Sequence, residues 1–167
     1  MIKKLLATAL ISTTLLSYEI SLEKPSSVQT EATEPKIKTV LVRDDSKEIV
    51  IDKTTDLMWQ DNIDTKTIKK NRKDAKEYCR RLVFGGYDDW YLPRIKQLRS
   101  IVDSKKRNPA IREEFQNVKA YHYWSSSPNI SRNIIYVFNI DFKNGQTYHT
   151  NKNGRCYVRC VRGKYHL

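Results

Sequence analysis

Hydrophobic positions change character three times along the chain. Residues 5–16 are largely apolar and follow Lys3 and Lys4. A charged start followed by a short apolar run is the pattern of a secretory signal peptide. The run is shorter than the ~20 apolar residues that span a bilayer. Ser17 is the best small residue for cleavage, and residues 1–22 are read as the signal. Leu15 sits where a second small residue is preferred, so an uncleaved N-terminal anchor is the alternative. No cysteine follows the run, which argues against a lipoprotein anchor. Residues 23–36, EKPSSVQTEATEPK, carry almost no apolar groups and read as a disordered linker, because such a stretch cannot offset its ordering entropy by burial. Residues 37–167 suit one domain of ordinary size.

Within that domain the pattern alternates between strand and helix periods. Residues 38–42 and 48–51 read as short strands around Asp44-Asp45-Ser46, and 57–59 as another. Ala75, Tyr78, Cys79, Leu82 and Val83 recur at helical spacing, predicting a helix over 72–84. Asn71 is its N-cap and Gly85-Gly86 its stop. A second helix is expected from Pro93, with Ile95, Leu98, Ile101 and Val102 on its inner face. Asn108-Pro109 repeats the cap-plus-proline signal and predicts a short helical turn through Phe115. Ile134, Tyr136, Phe138, Ile140 and Phe142 form one face of a strand. Asn144-Gly145 and Asn153-Gly154 then mark two hairpin turns, predicting a three-stranded meander. Strands, two helices and a run of strands indicate an α+β fold.

The cysteines are Cys79, Cys156 and Cys160. In an oxidising compartment they imply one disulfide and one leftover thiol. With Lys143 opposite Gln146 and Lys152 opposite Arg155, the face carrying Phe138, Ile140 and Phe142 also carries Cys156, Val158 and Cys160. Four residues on one strand span ~13 Å, too far for a disulfide between Cys156 and Cys160. Cys79 points from the buried helix face. Cys160 lies deeper in its strand than Cys156, so Cys79–Cys160 is expected, with Cys79–Cys156 as the alternative.

Charge adds a partner class. The chain has 31 Lys+Arg against 19 Asp+Glu, a formal net charge of +12. Lys66, Lys69, Lys70, Arg72 and Lys73 form one run, and Lys105, Lys106 and Arg107 another. An exported basic protein can bind acidic polysaccharide, anionic lipid or nucleic acid, although solvated basic runs also serve solubility alone. Lys69, Lys70, Arg72, Lys73, Lys105, Lys106 and Arg107 are the candidate polyanion patch. A polyanionic glycan or an envelope component is the expected partner, and nucleic acid is not.

The motifs carry a resemblance. They are D-x-T-T-x-L-M-W-Q at 52–60, Tyr78-Cys79, Gly85-Gly86-Tyr87-Asp88-Asp89-Trp90, Leu92-Pro93 with Ile95-Lys96-Gln97-Leu98, Trp124-Ser125-Ser126-Ser127, and Val158-Arg159-Cys160-Val161-Arg162. Together they resemble the Lcl C-terminal domain, found at the end of a collagen-like bacterial surface adhesin. The resemblance covers about residues 48–163. It implies a C-type lectin-like fold, with two helices packed on a small looped antiparallel sheet and a disulfide from the first helix to the last strand. It also implies an exported module that binds ligands or surfaces, in the periplasm or at the cell surface. Tyr91 departs from the family, which usually has Arg there. No Gly-X-Y tract is present to impose the trimer of a collagen-like relative.

Candidate chemistry is sparse. Tyr87, Tyr91, Ser125, Ser126, Ser127 and Asn129 are the candidate ligand contacts. Tyr121 and Tyr123 share their loop-like setting, while Trp59, Trp90 and Trp124 read as core. Calcium needs several oxygen ligands. Ser127-Pro128-Asn129 lacks the carboxylate of a calcium lectin, and Asn139 and Asp141 are split by Ile140, so calcium is not favoured and no cofactor is expected. Asp88 and Asp89 are a carboxylate pair but read better as turn caps. His122, His149 and His166 lack metal-ligand spacing. No base and acid partner is evident for a serine nucleophile. A non-catalytic binding module is therefore expected. The alternatives are a structural or protein-contact domain of the envelope and a relative of formylglycine-generating oxidases, for which Cys156 is the only spare thiol.

Overall fold

Three short strands open the fold because turn formers interrupt the apolar runs. The computed structural model describes residues 39–131 and 134–164, without the side chains of 129–135. These residues belong to the compact unit Lys36–Leu167. The apolar leader and the linker lie outside the described residues. Strands β1 (Leu41–Asp44), β2 (Ile49–Asp52) and β3 (Leu57–Gln60) form an antiparallel meander. Asp44 closes the first turn by accepting from the Ser46 hydroxyl and the Lys47 N–H. Asp52 closes the second, accepting from the Thr54 and Thr55 N–H groups and the Thr55 hydroxyl. The D-x-T-T motif is thus a side-chain-capped turn, in which an Asp substitutes for a backbone acceptor.

The helices follow. Helix α1 (Asp64–Thr67) is a single turn, and β4 (Lys69–Lys70) is a two-residue strand inside the basic run. Helix α2 (Arg72–Arg81) starts where expected, with the Asn71 side chain accepting from the Asp74 N–H at 2.9 Å. It ends at Arg81, three residues short of the expected end at Phe84. Phe84 and Tyr87 exchange both backbone hydrogen bonds across Gly85 and Gly86, whose φ values are +62° and +87°. Leu82 is already extended, and Val83, expected on the same face as Cys79, is 77% exposed.

Helix α3 (Ile95–Ser100) begins two residues after Pro93. Its first N–H groups are met by side chains: the Ser127 hydroxyl accepts from Ile95, and Gln97 Oε1 accepts from Arg94. The helical turn expected after Asn108-Pro109 does not form. That peptide bond is cis, and the backbone is committed elsewhere: Asn108 N–H donates to Lys143 O and Ala110 N–H to Phe142 O.

The second sheet contains β5 (His122–Ser131), β6 (Ile134–Asp141), β7 (Gln146–Asn151) and β8 (Cys156–Tyr157) in the order β4-β8-β5-β6-β7. The expected β6–β7 hairpin forms, but Ile140 faces Thr147 rather than His149. Four residues, 142–145, make the turn, with Gly145 at φ +76°. The predicted three-stranded meander is overturned. After the Asn153-Gly154 turn, β8 pairs with β4 and runs parallel to β5 instead of returning along β7. The next residues cross to the first sheet, where β9 (Val161–Arg162) pairs with β3. Cys156 and Cys160 therefore do not share one strand, and the expected single sheet is two.

The period of two survives that crossing and organises the core. Cys156, Val158 and Cys160 join Ala75, Cys79 and Trp124 in one cluster. Tyr157 and Val161 join Leu98, Ile101, Tyr123 and Ile140 in another. Successive side chains on an extended chain point to opposite faces, so one segment seals both clusters. Cys79 and Cys160 form the disulfide, with Cα atoms 5.5 Å apart, and Cys156 is a buried free thiol. The α+β class holds.

Candidate functional site

Most motif residues are committed to the interior. Arg159 is fully buried between the rings of Phe115 and Tyr123, 4.8 and 5.8 Å from their centroids. Its Nη1 donates to Asp61 Oδ1 at 2.6 Å and to Gln60 O, and its Nη2 to Asn117 O. Asp61, also fully buried, accepts from Arg43 and from the Gln116 N–H as well. Gln60 Oε1 accepts from the Cys160 N–H, and its Nε2 donates to the Tyr78 hydroxyl. Burial pushes the Tyr78 hydroxyl up to about 12, keeping it a donor to Asp64. These contacts tie the first sheet to the disulfide segment. Asp61 and Arg43 carried no signal at the sequence level, because their pairing depends on long-range contacts.

The Trp124-Ser125-Ser126-Ser127 motif is a β-bulge. The β5–β6 register shifts between Trp124 and Pro128, leaving three residues opposite Phe138. The Ser125 hydroxyl donates to Phe138 O and accepts from the Ser127 N–H. Ser125 and Ser127 thus serve the backbone. Ser126 is half-buried, with its N–H on Pro93 O and its own carbonyl accepting from Arg72 Nη2 at 2.8 Å. The Asn129 side chain lies outside the described residues.

The carboxylate pair separates. Asp88 is exposed, while Asp89 accepts from Arg162, a hydrogen bond that holds its carboxyl below the usual carboxylate range. The Tyr87 ring is covered by the Arg162 guanidinium at 3.7 Å. Tyr91 bridges motifs: its hydroxyl donates to Gly163 O and accepts from Gln97 Nε2. Asn139 is buried, bonded to His122 and Thr150. Among the described residues no three His, Cys, Asp or Glu side chains gather as metal ligands would. Burial pushes the Cys156 thiol up to about 12.

The basic runs do not merge. Lys69 and Lys70 point to opposite faces of β4, over the rings of Tyr121 and Tyr157 on one side and Tyr78 on the other. The loop holding Lys105, Lys106 and Arg107 sits at the β6–β7 turn, through the Asn108–Lys143 hydrogen bond. Arg72 and Lys73 sit at the other end of β7, where the Arg72 N–H donates to Lys152 O. A six-residue strand separates those ends by roughly 20 Å.

At that second end lies a cleft of about 740 Å³ between α2 and the turn after β7. Helical spacing lines up Arg72, Lys73, Lys76 and Arg80 along it, and Lys152 faces them. Its carboxylates are Asp74 and Glu77. Asp74 is engaged by the Asn71 amide, and Glu77 by Arg80 and Arg81. The Arg80 hydrogen bond holds the Glu77 carboxyl down at about 2. Sequence reasoning found Arg72 and Lys73 but missed Lys76, Arg80 and Lys152. The first two follow from the helix period, whereas Lys152 is placed by the tertiary course of the chain.

The model of the Lcl C-terminal domain matches residues 48–162. A comparison with curated proteins finds no match. The match runs from β2 to β9 and includes the disulfide and the bulge, and the chain belongs to the Lcl C-terminal domain family.

Proposed function

We propose that this chain is an exported, non-catalytic binding module whose α2 cleft takes an anionic glycan. One observation carries this reading: five cationic side chains against two carboxylates line a cleft of about 740 Å³. Such a volume falls in the range of sites that hold small ligands or segments of larger ones. Aligned ammonium and guanidinium groups suit regularly spaced sulfates or carboxylates, and Arg adds a planar fork that matches either group. The Cys79–Cys160 disulfide supports export, since such bonds persist in oxidising compartments. The longer helices α2 and α3 beside mostly antiparallel strands, with α2 tied to the segment before the last strand, support a C-type lectin-like relationship. The ligand is read by charge, so binding proceeds without calcium.

Heparin chromatography of the full chain tests the proposal. Retention at low salt that is lost at moderate salt, unchanged by a chelator, is expected because screening weakens such contacts. A Lys73→Glu/Lys76→Glu double variant elutes at distinctly lower salt. Elution of the folded parent in the void volume would overturn the reading.

A further inference from the structure

Next to the cleft is a second cavity, of about 250 Å³, lined by Tyr91, Arg94, Gln97 and Ser126. It is assembled from two motifs distant in sequence. In the β-bulge Ser126 lines the cavity, while the hydroxyls of Ser125 and Ser127 bind backbone. Bulges commonly re-aim a side chain. The segment 91–97 supplies the other wall, stitched to the bulge by the Ser126 N–H on Pro93 O and the Ile95 N–H on the Ser127 hydroxyl.

The polar groups here have unspent capacity. Gln97 is 1% exposed. An amide nitrogen carries two hydrogens, and among the described residues Gln97 Nε2 meets one partner, the Tyr91 hydroxyl at 2.8 Å. Arg94 is exposed and makes no salt bridge among the described residues. The Ser126 hydroxyl likewise has no hydrogen-bond partner there, although its backbone is fixed on both sides. The residues lining this small cavity therefore offer a guanidinium, an amide N–H and a hydroxyl, and include no carboxylate. Charge-assisted hydrogen bonds from a guanidinium are the strong contacts to oxyanions. Arg72 joins the two cavities: it lines the cleft, and its guanidinium bonds the carbonyl of Ser126, which lines the pocket.

We propose that the Tyr91–Arg94–Gln97–Ser126 pocket binds a single oxyanion group, a sulfate ester or a carboxylate, of a glycan lying in the adjacent α2 cleft. Arg94 supplies the charge, Gln97 Nε2 and the Ser126 hydroxyl supply directed donors, and Tyr91 holds Gln97 in place. This inference rests on the cleft reading for the rest of the ligand, but the pocket itself is testable apart from it. It also gives the departure at Tyr91 a consequence. A neutral hydroxyl there leaves Arg94 as the cation of the pocket.

Calorimetric titration with a heparin hexasaccharide at fixed salt, using the full chain, tests the proposal. Arg94→Gln should weaken binding about tenfold, on the scale of a lost charge-assisted contact. Ser126→Ala should weaken it severalfold, with thermal unfolding unchanged in both variants. Carboxyl-reduced and desulfated hexasaccharides distinguish the two group types, since the Arg94→Gln penalty disappears for the probe lacking the bound group. If Lys73→Glu/Lys76→Glu binds weakly while Arg94→Gln and Ser126→Ala match the parent, the cleft stands and the pocket proposal falls. If the parent does not bind the hexasaccharide, the cleft reading fails and inorganic sulfate decides the pocket alone. Saturable amide shifts at Gln97, Ser126 and Ser127 that vanish in Arg94→Gln support it, and their absence overturns it.

Discussion

Arg159 and Asp61 show why single residues in this domain are so unequal. Each is fully buried, and each satisfies the other together with backbone groups from distant segments. Desolvation cancels most of what a buried ion pair gains over an apolar pair, but removing one partner leaves an uncompensated buried charge. Asp61→Ala should therefore destabilise the fold by about 3–5 kcal/mol, measured by denaturant unfolding. Asp61→Asn keeps the shape and one acceptor and should cost less. A loss below about 1 kcal/mol for Asp61→Ala would contradict the arrangement, since exposed pairs contribute in that range. Ser125 and Ser127 belong to the same class of residue, because their hydroxyls complete the bulge and the start of α3.

Helix α2 works on both of its faces. Ala75 and Cys79 bury the inner face, while Lys73, Lys76 and Arg80 give the outer face its charge. Glu77 lies within that outer row and ties up Arg80 and Arg81. Glu77→Gln should raise heparin affinity, seen as elution at higher salt, because it removes a negative charge and releases two guanidinium groups. Weaker retention would show that Glu77 positions the arginines for the ligand. The pH dependence follows from the depressed carboxyl at about 2. A folded-state value below the ordinary one contributes stability that is present above about pH 4.5 and lost as pH falls through about 2. Acid titration of the parent and of Glu77→Gln should diverge in that window and coincide near neutrality in its pH slope.

Across the whole molecule, the disulfide joins positions 81 residues apart and ties α2 to the segment connecting the two sheets. Closing so long a loop restricts the unfolded chain, an effect of about 4 kcal/mol in the chain-entropy account. The Cys79→Ala/Cys160→Ala variant should lose stability on that scale in denaturant unfolding at constant pH. In the parent, thiol titration should find one reactive group after unfolding and none in the native state, because Cys156 is buried and its thiol is pushed up to about 12. Two or three thiols after unfolding would contradict the pairing.

Local rules were legible wherever neighbours in sequence decide the outcome. Asn71 capped α2, Gly85-Gly86 turned the chain, β1 to β3 formed near their expected positions, and the period of two put Cys156, Val158 and Cys160 on one side. The Cys79–Cys160 pairing followed from those two periodicities even though the assumed single strand does not exist. Tertiary structure decided what depends on partners remote in the chain. The choice of β4 and β5 as neighbours of β8, the unwound segment after Asn108, the burial of Asp61 and the placement of Lys152 beside α2 are of this kind. Backbone groups and charges there are satisfied by whichever distant group packing brings near. Residue order alone carried the α+β class, a preference for Cys79–Cys160 over Cys79–Cys156 and a basic composition, because these follow from local periodicity and residue counts. Only the folded chain placed the basic runs at opposite ends of β7, committed two of the three bulge serine hydroxyls to backbone, and set Arg94 and Ser126 around one cavity, because each depends on partners remote in the chain.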